Sequence, residues 1–177
     1  MGRDTKKIDI GCGAFKKHGY LGIDIRPLEG VDIVHDLSKP LPLENNSVED
    51  IYCSHFLEHI GDALPLLLKE IVRVSKPNAK VIFKVPYWSM EGAMFYGHKN
   101  TMPPLLFMQL SGKTSQHDRE FWFDTKIGWL ELLHITYQYN PEGKQLCYRL
   151  GLTPEEGAKF LNNIVDEMTV EMRVIKP

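Results

Sequence analysis

Short apolar runs, each closed by a small or acidic residue, fill the first half of the chain at 7–10, 20–25, 31–35 and 48–53. That punctuation predicts strands whose carboxyl ends carry a site. A helix is predicted over 63–74, capped by Asp62, with Pro65 near its first turn and Leu66, Leu67, Ile71 and Val74 as a buried stripe. It stops at Ser75-Lys76-Pro77-Asn78. A fifth strand follows at 80–86, and the near-continuous apolarity of Val81, Ile82, Phe83 and Val85 predicts burial on both faces. Strands separated by helical segments imply a parallel α/β sheet, although the links between the first three runs are too brief for crossover helices.

From 87 to 123 the pattern dissolves into Trp88, Met90, Met94, Phe95, Met102, Phe107 and Met108 among glycines and polar residues. This stretch reads equally as a lid or substrate segment, with a short helix near 104–110, and as a helix and loop covering the core. Order returns in a strand at 132–139, a helix opened by the capping box Thr153-Pro154-Glu155-Glu156, and a strand at 168–175. Phe160, Leu161 and Ile164 form the stripe predicted for that helix. No repeat or linker divides the chain, so residues 1–177 are expected to form a single domain.

Composition narrows the function. With 177 residues, 43% hydrophobic and 25% charged, the chain resembles an ordinary globular domain. Lys+Arg 21 against Asp+Glu 23 gives no general pull toward phosphate backbones or anionic membranes, so nucleic acid and membrane partners are disfavoured. Cys12, Cys53 and Cys147 are odd in number and lack C-x-x-C spacing, which argues against a disulfide framework or zinc knuckle and for the reducing cytosol. The charged start lacks the apolar run of a signal peptide, and Lys6 stands where a myristoylation signal needs Ser or Thr. A cytoplasmic, unanchored protein is expected.

The strongest local signal is Ile8-Asp9-Ile10-Gly11-Cys12-Gly13-Ala14-Phe15 followed by Gly22-Ile23-Asp24-Ile25. The glycines allow close backbone approach to a ligand, and Asp24 stands where a ribose diol can be clamped. A dinucleotide fingerprint needs a third glycine opening a helix for the pyrophosphate, but Lys16 holds that position and no room for the helix exists before Tyr20. A nicotinamide-dependent oxidoreductase is therefore disfavoured. S-adenosylmethionine carries the same ribose and no phosphate. Asp36, in His35-Asp36-Leu37-Ser38, ends the third run where a carboxylate can accept from an adenine amine.

Four blocks in order, IDIGCG, GIDI, HDLSKPLPLENNSVEDIYCSHFLEHI and EIVRVSKPNAKVIFKVP, resemble class I S-adenosylmethionine-dependent methyltransferases of the type called methyltransferase domain 11. The resemblance covers about the first half of the chain. It implies an α/β, Rossmann-like, mostly parallel sheet with an antiparallel last strand, here in a compact variant without the first crossover helix. Carried over by position, Asp9, Gly11, Cys12 and Gly13 would contact the methionine portion, Asp24 the ribose and Ile25 the adenine. Asp36 and Leu37 would read the adenine edge, and Cys53 and Ser54 would lie near the sulfonium.

Methyl transfer is an in-line displacement that needs alignment and a proton acceptor, which makes His55 and His98 the candidate catalytic bases. His59 reads as structural. His55 and His59 stand one helical turn apart, but Glu58 is not placed as in H-E-x-x-H and no third ligand is evident, so no metal is expected. Cys-Ser-His-Phe after the fourth strand lacks the Asn/Asp-Pro-Pro-aromatic clamp of base-amine methylases. The expected function is methylation of a small or medium acceptor. The rival is a degenerate binding or regulatory module, and either reading leaves room for a homodimer or a partner chain completing the site. Lys16, Lys17 and His18 could still meet an anionic group.

Overall fold

The computed structural model describes residues 6–177, so the expectation for a leader at residues 1–5 lies outside it. Seven strands form one sheet: β1 (Lys7–Ile10), β2 (Leu21–Asp24), β3 (Ile33–Val34), β4 (Val48–Ser54), β5 (Ser75–Pro86), β6 (Trp129–Tyr139) and β7 (Val165–Ile175). Their spatial order is β3-β2-β1-β4-β5-β7-β6. The first five run parallel, and β7 enters antiparallel between β5 and β6. The order reverses between β1 and β4, the place where an open α/β sheet forms a ligand crevice.

Residues 11–20, 25–32 and 35–47 connect β1 to β4 without a helix. The core face is covered by α1 (Leu64–Val74), α2 (Pro104–Leu110) and α3 (Gln116–Trp122); α3 contacts both other helices, and α1 and α2 contact β6. Pro65 sits in the first turn of α1 as expected, but Asp62 belongs to the preceding 3-10 turn and Ala63 is the cap, without a side-chain bond. The buried stripe uses Leu67, Leu68, Ile71 and Val74, whereas Leu66 is 37% exposed. The α1 carboxyl end passes directly into β5, where Ser75 Oγ donates to the Ile71 carbonyl at 2.7 Å. Asn78, at φ 65°, lies in the irregular stretch that separates the Val48–Ser75 pairing from Asp50–Lys80.

The opposite face overturns the expectation that β5 is buried on both sides. Val81, Phe83 and Val85 are buried, while Lys80, Ile82 and Lys84 alternate onto a face bearing no helix. That face is polar: Lys84 pairs with Glu167 at 2.8 Å, Lys80 with Glu171 at 3.3 Å, and Tyr20 Oη donates to Asp50 at 2.7 Å. Lys16 and Lys17 belong to this solution. Lys16 pairs with Asp32 at 2.7 Å, and the Lys17 ammonium lies 4.1 Å from the Tyr52 ring centre. Aliphatic stems and ion pairs thus cover the strands where a crossover helix is absent.

The 87–123 segment divides. Met94, Phe95 and Tyr96 are exposed, but Met102, Phe107, Leu110 and Phe123 are buried, so its second half belongs to the core. The helix expected near 104–110 is α2, and residues 117–120 lie within α3. The β6–β7 connection contains α4 (Pro141–Arg149) and α5 (Pro154–Phe160). The Thr153–Glu156 capping box forms as expected, but Phe160 is 80% exposed because the helix ends there, before Ile164 can join its stripe. No described helix is long and apolar enough to cross a membrane.

Candidate active site

A cleft of about 500 Å³ opens at the carboxyl ends of β1 and β4, lined in part by Asp9, Gly11, Cys12, Gly13, Ser54 and His55. The strand register explains the convergence: Asp9 pairs with Tyr52 and Ile10 with Cys53. Tyr52 and Ser54 therefore share the face of Asp9, while Cys53 alternates into the core and is fully buried. Cys53 is accordingly absent from the cleft lining. Gly11 and Cys12 tie the turn to β2, their amides donating to the Ile23 carbonyl at 2.8 and 3.3 Å.

Asp24 forms the support beneath this turn. It is 4% exposed, and its carboxylate accepts from the Gly13 amide, the Arg26 amide and Arg26 Nε at 2.9, 2.9 and 3.3 Å. Burial raises its pKa, but the Arg26 and Gly13 amides and the Arg26 guanidinium outweigh that effect and hold it below the ordinary carboxylate value. Asp9 has less compensation. Burial pushes its carboxyl up to about 6 against the lowering effects of the Lys17 amide and nearby lysines. The Lys17 amide donates to it at 2.7 Å.

Burial, reinforced by Asp9 and Asp24, raises the Cys12 thiol to about 11, which leaves it protonated rather than a thiolate nucleophile. His55 follows β4 with φ 51° and sits in the left-handed region, its amide donating to the Lys84 carbonyl at 2.8 Å. Its Nε2 is 2.7 Å from Glu167 Oε2 on β7, and its Nδ1 is 3.6 Å from Glu58 Oε1. Glu58 raises the imidazole pKa above its ordinary value, burial opposes that, and Glu167 adds to the rise.

Ile25 is 59% exposed and outside the cleft lining, as are Asp36 and Leu37. Asp36 accepts from the Ser38 amide and hydroxyl at 3.0 and 2.7 Å, and Leu37 is buried. His98 is also outside that lining. It packs edge-on against His59 with ring centres 4.7 Å apart. Sequence reasoning missed Arg26, Leu28 and Tyr52 as lining residues. The alternation of β4 carried a signal for Tyr52, and the position two after Asp24 carried one for Arg26.

Residues 8–83 match the family model described as a methyltransferase domain. A crystal structure of a SAM-dependent methyltransferase from Archaeoglobus fulgidus shares 17% identity, with a TM-score of 0.62 over 96% of this chain and 88% of that one. Over the matched segment the chain is similar to a methyltransferase domain, and its overall fold is that of the solved methyltransferase. An S-adenosylmethionine-dependent methyltransferase from Mesorhizobium loti is also similar, at 17% identity and TM-score 0.53, covering 96% of this chain and 91% of that chain. A third similar structure is a complex containing the Haloferax volcanii Trm112 methyltransferase activator, at 15% identity and TM-score 0.57, covering 100% and 84%. No curated protein matches the sequence.

Proposed function

We propose that the chain acts as one catalytic domain, transferring a methyl group from S-adenosylmethionine to a small or medium acceptor at oxygen, nitrogen or carbon. The observation that carries this reading is the convergence of Asp9, Gly11, Cys12, Gly13, Ser54 and His55 on one cleft. In it, Asp9 receives the cofactor ammonium, and the Gly11–Gly13 backbone borders the methionine portion. Asp24 exchanges its exposed Arg26 guanidinium for the ribose hydroxyls, and the adenine rests toward Leu28 and Ile25. Ser54 lies by the sulfonium. His55, oriented by Glu167, takes the acceptor proton during the in-line displacement. The three buried free cysteines support a reducing, cytoplasmic setting.

The experiment is to supply methyl-labelled S-adenosylmethionine with fractionated small metabolites and follow labelled product together with S-adenosylhomocysteine. Labelled small acceptors support the proposal. Tight cofactor binding without transfer to any fraction would support the binding-module reading instead.

Two binding predictions accompany it. Asp24→Ala weakens S-adenosylmethionine binding by about 1.5–3 kcal/mol, through loss of a charge-assisted contact and of the support for Gly13. Unchanged calorimetric affinity in the folded variant contradicts that role. The Asp9 pKa of about 6 lies above its unfolded value near 3.9, so its stabilising contribution is present below about 4 and is lost as pH rises through 6. Cofactor binding has the opposite dependence, because the ammonium prefers ionised Asp9. Affinity should fall about 5- to 10-fold from pH 7 to 5 in wild type and remain nearly level in Asp9→Asn. Parallel slopes for the two proteins would remove Asp9 from the ammonium site.

A further inference from the structure

Glu58 and His59 lie on the 3-10 turn Leu57–His59, and the loop carrying His98 is fastened against it by main-chain bonds. The amides of Lys99 and Asn100 donate to the Glu58 carbonyl at 2.7 and 3.0 Å. The Asn100 side-chain amide reaches the Leu57 and Gly61 carbonyls, each at 3.3 Å. Two segments far apart in sequence therefore present three side chains to one spot.

Those side chains are prepared as ligands. Glu58 is 2% exposed and neither carboxylate oxygen has a hydrogen-bond partner; its ion-pair neighbour is His55, with Nδ1 3.6 Å from Oε1. His59 Nδ1 is 2.9 Å from the Gly97 carbonyl and His98 Nδ1 is 3.3 Å from the Ala93 carbonyl. A carbonyl only accepts, so Nδ1 carries a proton in both contacts, and the tautomer that makes them leaves the Nε2 lone pair for a ligand. A backbone carbonyl holding the far nitrogen is the usual second shell of a metal-binding histidine. One potential ligand atom from each of Glu58, His59 and His98 lies within 4.8 Å of the others. Bonds of about 2.0–2.2 Å to a common ion require only a modest closing of that triangle.

We propose that Glu58, His59 and His98 bind a divalent transition-metal ion of the zinc kind, with a further coordination position open. Two imidazoles and one carboxylate suit such an ion better than magnesium or calcium, which prefer all-oxygen sets. The set differs from the His55–His59 pair that the sequence brings to mind: Glu58 and His59 are joined by His98, which only folding brings near. None of the three ligands lines the cofactor cleft, but His55 does, and its Nδ1 stands 3.6 Å from Glu58 Oε1, so the ion would adjoin the cleft through His55. Resting on the methyltransferase reading, an oxygen of the acceptor fills the open position.

The test titrates the chelator-treated full chain with zinc alone, followed by calorimetry, and with cobalt, followed by visible absorption. The expected result is one equivalent bound at micromolar affinity or tighter, with the intense absorption of a low-coordinate cobalt site. His98→Ala and Glu58→Gln, each checked for an unchanged circular dichroism spectrum, should weaken zinc by more than about 100-fold, beyond the effect of losing an outer-shell partner. Absence of zinc binding by the wild-type chain, or full retention of affinity in both folded ligand variants, overturns the proposal. Because the readout uses metal without cofactor or acceptor, its failure leaves the methyltransferase reading to be judged separately.

Discussion

Replacing Gly11 by alanine should destabilise the protein by about 2–5 kcal/mol and abolish measurable cofactor binding. Two effects combine. Gly11 holds φ 67°, and a Cβ placed there would lie 2.2–2.6 Å from Phe56 side-chain atoms. The left-handed backbone costs an alanine about 1–2 kcal/mol, and forcing the ring aside adds about 1–3 kcal/mol. Phe56 directly follows His55, so its displacement disturbs both walls of the cleft. Gly19→Ala is the control, since φ is 81° there but no atom lies within 4 Å of the new Cβ. Denaturant unfolding should show a clearly larger loss for Gly11→Ala; equal losses would contradict the close packing of Phe56 on the turn.

Arg73→Ala should have a comparable effect on stability, about 2–4 kcal/mol, without touching the cleft. The guanidinium grips Glu70 through Nε and Nη2 at 2.7 and 2.6 Å, and also reaches the Leu41 and Leu43 carbonyls, both at 2.9 Å. Glu70 in turn accepts the Leu41 amide at 2.7 Å, so one pair fastens the β3–β4 connection to α1. Removing Arg73 strands a buried carboxylate and two carbonyls. Lysine restores charge but cannot reproduce the forked geometry, so Arg73→Lys should recover little. Arg73 bonding holds Glu70 below its ordinary pKa despite opposing burial, and the Leu41 amide helps. The stability from this group is present above the unfolded value of 4.5 and disappears as pH falls through the depressed folded value. Equal denaturation midpoints for wild type and Arg73→Ala would reject the network as a stabilising element.

The parallel strands were legible because buried strands concentrate apolar residues, and the Thr153 cap because its bonds are local. The short links before β4 were correctly recognised as too brief for helices. The polar face was harder to see: Ile82 breaks the alternation of β5 and makes a half-exposed strand resemble a fully buried one. α4 was missed although Asn140 and Pro141 provide an N-cap and first-turn proline, with Asn140 Oδ1 accepting the Gly143 amide at 3.0 Å. For the site, Asp9 and the glycine turn were readable because strand and turn lie together in sequence. The inward turn of Cys53 required the β4 register. The contact of Glu58 and His59 with His98 required the folded path of the later loop.

The most direct measurement is parallel calorimetric titration of the purified chain with S-adenosylmethionine, S-adenosylhomocysteine and a nicotinamide dinucleotide. The account predicts micromolar binding of the first two and none of the dinucleotide. Failure to bind either adenosyl ligand, or preference for the dinucleotide, would contradict the central claim.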